Sequence, residues 1–136
     1  MSDLGAVGVN VMNVQFARGL PQEWEKFAQF FAALGDNTRQ QILLVFERDE
    51  EICVNEICRL FRLSRSAICH HLKVLREAKL LCCERRGKEV YYRVNYEYCA
   101  DVLHTVHRFV SAKSKAAHPE LELHGPGLPR VAAADA

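Results

Sequence analysis

The feature that most constrains the fold is a change in the spacing of apolar residues near residue 81. Before that point apolar side chains recur every three to four residues, as at Trp24, Phe27 and Phe31, and this spacing predicts amphipathic helices. Over residues 81–94 apolar and polar side chains alternate instead, with Gly87 in the middle. Alternation around a glycine turn predicts a β-hairpin. The sequence therefore predicts a run of helices that is interrupted by one hairpin.

Helix start and stop signals define five helices. Pro21 suits the first position of a helix and Gly35 its end, while Asp36, Asn55 and Ser64 are good N-caps for the next three. The fifth helix carries a long apolar stripe. The predicted helices cover residues 21–34, about 36–48, about 55–61, about 64–78 and 95–113.

Length and composition predict one soluble domain. With 136 residues, 49% hydrophobic and 26% charged, the chain can bury one core. We expect a flexible arm or weak helix over 1–20, a domain over 21–113 and a disordered tail over 114–136, where three of the four prolines lie. No apolar run exceeds five residues, against about 20 for a membrane span. Because residues 1–20 also lack a basic signal region, we expect a cytoplasmic protein.

The net charge of +1 conceals a strongly basic segment. Residues 59–93 contain ten Lys or Arg and three Asp or Glu. Basic density confined to one segment is typical of a protein that binds a polyanion such as a nucleic acid.

The order of the elements points to the same partner. Two short helices joined by a tight turn and followed by a hairpin with a basic tip form a winged helix-turn-helix, here in the order α-α-α-α-β-β-α. Its second helix enters the major groove of double-stranded DNA, and its hairpin, the wing, reaches the flanking phosphates. Arg65, Ser66, Cys69, His70 and Lys73 face outward on that second helix, which is the predicted recognition helix. We therefore predict a mainly α, DNA-binding domain.

Three stretches carry a resemblance to a known family. "LGDNTRQQIL", "EICVNEICRLFRLSRSAICHHLKVLREAKLL" and "RRGKEVYYRV" resemble the ArsR family of bacterial winged-helix repressors. The resemblance implies a homodimer that binds a palindromic operator and is released by an inducer. Together with the basic segment, it indicates these DNA-binding residues: Arg62, Ser64, Arg65, Ser66, Cys69, His70, His71, Lys73, Arg85, Arg86 and Lys88.

The first and last helices hold such a dimer together in the family. Both helices here offer more apolar surface than one small domain readily covers. The expected interface residues are Trp24, Phe27, Phe30, Phe31, Leu103, Val106, Phe109 and Val110. Two residues depart from the family pattern, since Cys69 stands where serine is usual and Lys79 where glycine is common. We expect Lys79 to add a phosphate contact.

The first candidate sensor site is formed by Cys53 and Cys58. "ICVNEIC" resembles the arsenite- and cadmium-sensing segment of the family, with Asn55 in place of one cysteine. Thiolates are preferred by soft ions, and the start of a helix stabilises a thiolate. Five residues within a regular helix turn two side chains about 140° apart, so chelation requires Cys53 to lie outside the helix. The predicted inducer is a thiophilic ion, arsenite first.

Two alternative sensors remain open. Asp101, His104 and His107 recur every three residues on the fifth helix and, with His118, suit zinc or a similar ion. Alternatively, Cys53 and Cys58 oxidise to a disulfide or polysulfide.

The remaining cysteines are weaker candidates. Cys82 and Cys83 are adjacent in a strand and point to opposite faces, so one is expected in the core. Cys99 is expected in the core or the dimer interface, and Cys69 at the DNA surface, where its modification blocks binding.

The competing class is an enzyme or a metal-buffering protein. The sequence contains no Cys-x-x-Cys pair, no zinc-finger spacing and no glycine-rich phosphate loop. We therefore expect no catalytic activity.

Overall fold

A computed structural model describes residues 14–114, and its elements follow the predicted order. Five helices and a small antiparallel sheet occur in this order, which confirms the winged helix-turn-helix fold. A short 3-10 helix, Val14–Ala17, precedes them. The elements are α1 (Gln22–Leu34), α2 (Asn37–Leu44), β1 (Ile52–Cys53), α3 (Val54–Leu60), α4 (Arg65–Glu77), β2 (Leu81–Arg86), β3 (Glu89–Val94) and α5 (Tyr96–Lys113).

Two of the predicted helix starts are confirmed by side-chain caps. Asp36 accepts a hydrogen bond from the backbone N–H of Arg39 at 3.0 Å, and Ser64 accepts one from that of Ala67 at 3.1 Å. The predicted end of α2 near Arg48 is wrong. The helix ends at Leu44, four residues earlier, and the chain then turns.

The start of α3 also differs from the prediction. Cys53 is the N-cap, without a side-chain cap hydrogen bond, and Asn55 is the second residue of the helix. Asn55 does not cap because its amide bonds to Glu89 and Arg65 instead. Cys58 is consequently the fifth residue of α3, beyond its first turn.

The sheet has one more strand than the sequence predicted. Its order is β1-β3-β2, with Ile52 opposite Tyr92 and Cys53 opposite Tyr91. A strand of two residues is too short to show a periodicity, and its partner strand lies about 40 residues further along the chain. A local sequence pattern therefore cannot predict β1. The added strand attaches the start of α3 to the wing.

The core of the first unit includes one face of α2, α3 and α4. Ile68, Leu72 and Leu75 on α4 are fully buried, and so are Ile42 of α2 and Ile57 of α3. Burial of these side chains fixes the inner face of α4, because each large aliphatic side chain contributes about 1.5 to 3 kcal/mol when it leaves water. The outer face of α4 is thereby held toward solvent.

The described residues divide into two compact units, one ending at Ala100 and one beginning at Asp101. Within residues 14–114, every helix is too short or too polar to cross a lipid bilayer. The expected arm falls mostly, and the expected tail almost wholly, outside the described residues. His118 lies outside them as well.

Candidate nucleic-acid interface and sensor site

The two ends of α4 hold this helix in a defined position. Ser64 caps its start. At its end, the N–H of Leu80 donates to the carbonyl of Leu75 and the N–H of Lys79 to that of Arg76, both at 2.9 Å. These two bonds form the Schellman motif, in which the residue after the cap adopts a positive φ. Lys79 occupies that position with φ 66°.

Of the eleven side chains that the sequence assigned to DNA contact, five lie on the outer face of α4 and two lie just before this helix. These seven residues are all exposed, namely Arg62, Ser64, Arg65, Ser66, Cys69, His70 and Lys73. Lys73 lies 3.9 Å from Glu77 one turn further along the helix. Small hydroxyl groups near the helix start and cations along it form a surface that a DNA major groove can accept.

His71 is the exception to this exposed row. Its side chain is 17% exposed, and its Nδ1 accepts a hydrogen bond from Nη1 of Arg39 at 3.2 Å. Arg39 also donates through Nε to the carbonyl of Ala33 at 2.8 Å. Asp36 lies 3.9 Å from the same imidazole nitrogen. His71 therefore joins α4 to α1 and α2, which leaves it little surface for DNA.

Asp36 is the carboxylate of this junction. The hydrogen bond from the backbone N–H of Arg39 holds the pKa of Asp36 below its ordinary value, and the positive charge of Arg39 acts in the same direction. The aspartate consequently stays charged to lower pH than a free one.

The tip of the wing presents three exposed cations in two different environments. Arg86 donates to Glu51 at 2.6 Å and to Glu84 at 2.9 Å, and its guanidinium lies 4.9 Å from the ring centre of Tyr91. The hydrogen bonds to Glu51 raise the pKa of Arg86 above its usual value. The charge of Arg86 is thus compensated within the protein. Arg85 bonds to the carbonyl of Gly87 at 3.3 Å, and no carboxylate partner is found for Arg85 or Lys88 among residues 14–114.

Lys79, from which we expected a phosphate contact, lies beside an aromatic ring. Its Nζ is 5.6 Å from the ring centre of Tyr98, a distance typical of a cation–π interaction. The side chain is also exposed, and the phosphate contact stays a prediction.

The residues expected at a dimer interface differ in exposure. On α1, Phe27 and Phe30 are 3% and 1% exposed, so the chain itself covers them and they have little surface to offer a partner. Trp24 is half-buried and Phe31 is exposed. On α5, Val106 is half-buried, and the exposed apolar residues are Leu103, Phe109 and Val110.

Cys53 and Cys58 lie on either side of the start of α3. Cys53 is buried in β1 and Cys58 is half-buried. Cys53 lies outside the helical turns, as chelation with Cys58 requires. Across residues 14–114, however, no three His, Cys, Asp or Glu side chains are arranged to hold a metal ion. This pair therefore supplies at most two ligands without a rearrangement.

The other cysteines lie on the wing, α4 and α5. Cys82 is half-buried and Cys83 exposed, so neither is in the core as we expected of one of them. Cys69 is exposed and Cys99 is half-buried. Burial raises the pKa of the Cys99 thiol.

The alternative metal ligands on α5 are all exposed. Asp101, His104 and His107 point into solvent, and Nε2 of His107 lies 3.4 Å from the hydroxyl of Ser111. They do not form a three-ligand group within the part of the chain that is described.

Comparisons with known proteins agree with the fold and the exposed helix. Residues 36–81 match the model of the family described as "Bacterial regulatory protein, arsR family". The arsenic resistance transcriptional regulator ArsR1 of Pseudomonas putida is 42% identical over 67 residues, which cover 49% of this chain and 52% of that protein. The arsenical resistance operon repressor of Bacillus subtilis is 33% identical over 72 residues, covering 53% of this chain and 69% of that protein.

The structural comparison gives the same result. An ArsR-like transcriptional regulator from Rhodococcus sp. RHA1 aligns with a TM-score of 0.62 and 27% identity, covering 68% of this chain and 86% of that one. The matched part of this chain spans about half the length of several of the curated relatives. The fold and the exposed helix define the class as a winged helix-turn-helix protein, similar to bacterial transcriptional regulators. The chain belongs to the arsR family.

Proposed function

We propose that this protein is a transcriptional repressor that binds double-stranded operator DNA through α4 and the wing. The observation that carries the proposal is the division of α4 into two faces. Ile68, Leu72 and Leu75 fix one face in the core, and the other presents exposed residues such as Arg65 and Ser66 to solvent. Short polar side chains near the helix start approach base edges, and the longer cations reach phosphates. Contact with chromosomal DNA places the protein in the cytoplasm.

The repressor acts as a homodimer on a palindromic operator. Exposed Leu103, Phe109 and Val110 on α5, and exposed Phe31 on α1, support this because apolar side chains of this size favour burial against a partner. A two-fold protein dimer matches a DNA site with two inverted half-sites.

The test of DNA binding is fluorescence anisotropy with a labelled duplex from the region upstream of the protein's own gene. We expect tight binding that weakens as salt increases, because cations on the protein release counterions from phosphates. Replacement of Arg85 or Lys88 by alanine should reduce the slope of log K against log salt by about one each.

The matched control is Lys26→Ala, since Lys26 lies on α1, outside the helix-turn-helix and the wing. It should leave the slope unchanged. Equal affinity for the upstream duplex and for an unrelated duplex of the same length would refute operator recognition.

The inducer in this proposal is a thiophilic ion, with arsenite as the first candidate. The names of the matched relatives support this class, since ArsR1 of Pseudomonas putida is an arsenic resistance regulator. Cys53 and Cys58 are the proposed ligands. Because Cys53 is buried in β1, binding of the ion requires this strand to shift. A shift there provides a route by which the ion weakens DNA binding.

Two other inducers are tested in parallel. Zinc bound by Asp101, His104, His107 and His118 is the first, and oxidation of Cys53 with Cys58 is the second. Inducer and operator must weaken each other reciprocally in each case, whereas a metal-buffering protein binds its ion without regard to DNA.

Release is measured by adding arsenite to the reduced protein on its duplex. Cys53→Ser and Cys58→Ser should bind DNA as the unchanged protein does but resist release. Serine is a favourable N-cap residue, so Cys53→Ser should preserve the start of α3. Cys83→Ser, on the exposed side of β2, is the matched control and should still be released.

Release of all three variants by arsenite would place the sensor elsewhere. Release by zinc that disappears in His104→Ala, or release by peroxide that requires both Cys53 and Cys58, would identify the corresponding alternative.

A further inference from the structure

Asn55 connects the recognition helix to α3 and to the wing. Its Nδ2 donates to the carboxylate of Glu89 on β3, at 3.3 Å to Oε2 and 3.5 Å to Oε1. Its Oδ1 accepts a hydrogen bond from Nη1 of Arg65 at 2.6 Å. Arg65 is the first residue of α4. A side chain on α3 is therefore bonded at one end to the wing and at the other to the start of the recognition helix.

The two partners fix which way the amide faces. A carboxylate accepts hydrogen bonds and a guanidinium donates them. Nδ2 must consequently face Glu89, and Oδ1 must face Arg65. Asn55 is also half-buried, which restricts its rotamers. The acceptor offered to Arg65 is thus held in a defined place.

The bond pairs Arg65 with a neutral oxygen and leaves most of its N–H donors available. Arginine has five N–H donors, and Asn55 occupies Nη1 with a neutral oxygen. Arg86 on the wing differs, because two carboxylates compensate its charge. Arg65 is therefore held in position without losing its attraction for DNA.

We propose that Asn55 is a positioning residue that preorganises Arg65 for contact with the operator. The role rests on the DNA-binding function proposed above. An exposed arginine loses rotamer freedom when it binds DNA, and this loss reduces affinity. Because Asn55 already restricts Arg65 in the free protein, less rotamer freedom is lost on binding. The expected effect on operator affinity is about three- to tenfold, from the usual cost of immobilising one long side chain.

The experiment measures operator affinity by anisotropy in a double-mutant cycle between positions 55 and 65. Asn55→Ala should weaken binding about three- to tenfold, and Arg65→Ala more. In the Arg65→Ala background, Asn55→Ala should have no further effect, because Asn55 acts through Arg65. Asn37→Ala, the same substitution at an exposed position in α2, is the matched control and should leave affinity unchanged.

A second variant separates positioning from folding. Asn55→Gln keeps an amide oxygen for Arg65 and an amide N–H for Glu89, and glutamine favours a helix, so this variant should fold. Replacing Arg65 should weaken Asn55→Gln by more than it weakens Asn55→Ala, because only the glutamine still offers Arg65 an acceptor. Thermal midpoints of all variants are recorded alongside.

The outcomes distinguish this role from the proposed function itself. If the unchanged protein fails to bind the upstream duplex, the DNA-binding function is wrong, and this role with it. If the unchanged protein binds and Asn55→Ala binds equally well, the positioning role alone is wrong. Equal weakening by Asn55→Ala with and without Arg65 would also overturn it, since the residue would then act through the fold.

Discussion

Ser64 connects the stability of the recognition helix to the contact with DNA, and one substitution separates the two. Its hydroxyl accepts the backbone N–H of Ala67 at 3.1 Å. Ser64→Ala leaves that N–H without its partner, and loss of such a cap costs about 1 kcal/mol of unfolding free energy. For a domain of this size, 1 kcal/mol lowers the melting temperature by about 4 to 8 °C. We expect this decrease in a thermal melt followed by circular dichroism.

Two further substitutions at the same position isolate the DNA contact. Ser64→Thr keeps the cap and the hydroxyl, so both melting temperature and operator affinity should stay near those of the unchanged protein. Ser64→Asp keeps the cap but places a negative charge on the proposed DNA face. It should therefore melt normally and bind DNA more weakly.

Ser66→Ala is the matched control. Ser66 is an exposed serine in the first turn of the same helix, but it does not cap the helix. Its effect on unfolding free energy should stay within about 0.5 kcal/mol. The assignment of the cap would be refuted if Ser64→Ala had the melting temperature of the unchanged protein. It would also be refuted if that temperature were no lower than that of Ser66→Ala.

Three other predictions follow from backbone strain, burial and charge. Lys79→Gly should change the melting temperature little, because relief of about 1 kcal/mol of strain at φ 66° is offset by the entropy of glycine in the unfolded chain and by loss of the cation–π contact with Tyr98; operator affinity should fall, as the expected phosphate contact requires. Iodoacetamide followed by mass spectrometry should label exposed Cys69 and Cys83 before Cys99, since burial raises the pKa of Cys99; equal rates would contradict this. Asp36 has a lowered pKa, so it stabilises the fold above its ordinary pKa of 3.8 and loses that effect as pH falls through the lower folded value. Thermal melts at pH 6 and pH 3 should show the advantage of the unchanged protein over Asp36→Asn shrinking at the lower pH.

Local signals in the sequence predicted most of the fold because they depend on neighbours in the chain. Asp36 and Ser64 cap helices through hydrogen bonds that span three residues. Gly87 takes φ 63° in the turn between β2 and β3, a conformation that glycine adopts freely. The exposed face of α4 followed from helical spacing alone.

The roles of Asn55, His71 and Lys79 were not predictable in this way. Each depends on a residue brought near by folding. The sequence predicts that Asn55 caps a helix, at a position where the family has a cysteine. The side chain instead bonds to Glu89, 34 residues away. His71 read as a DNA contact, but it bonds to Arg39, 32 residues away.

The sequence by itself determined the type of every element except β1, two of the three side-chain helix caps, the basic segment and the polar face of the recognition helix, because hydrophobic period and capping act over a few residues. The tertiary structure decided which of the basic residues are available to DNA. It compensates Arg86 with carboxylates, holds Arg65 with a neutral amide and places Lys79 over an aromatic ring. Those differences arise from contacts between elements, and a charge in the sequence does not reveal its partner.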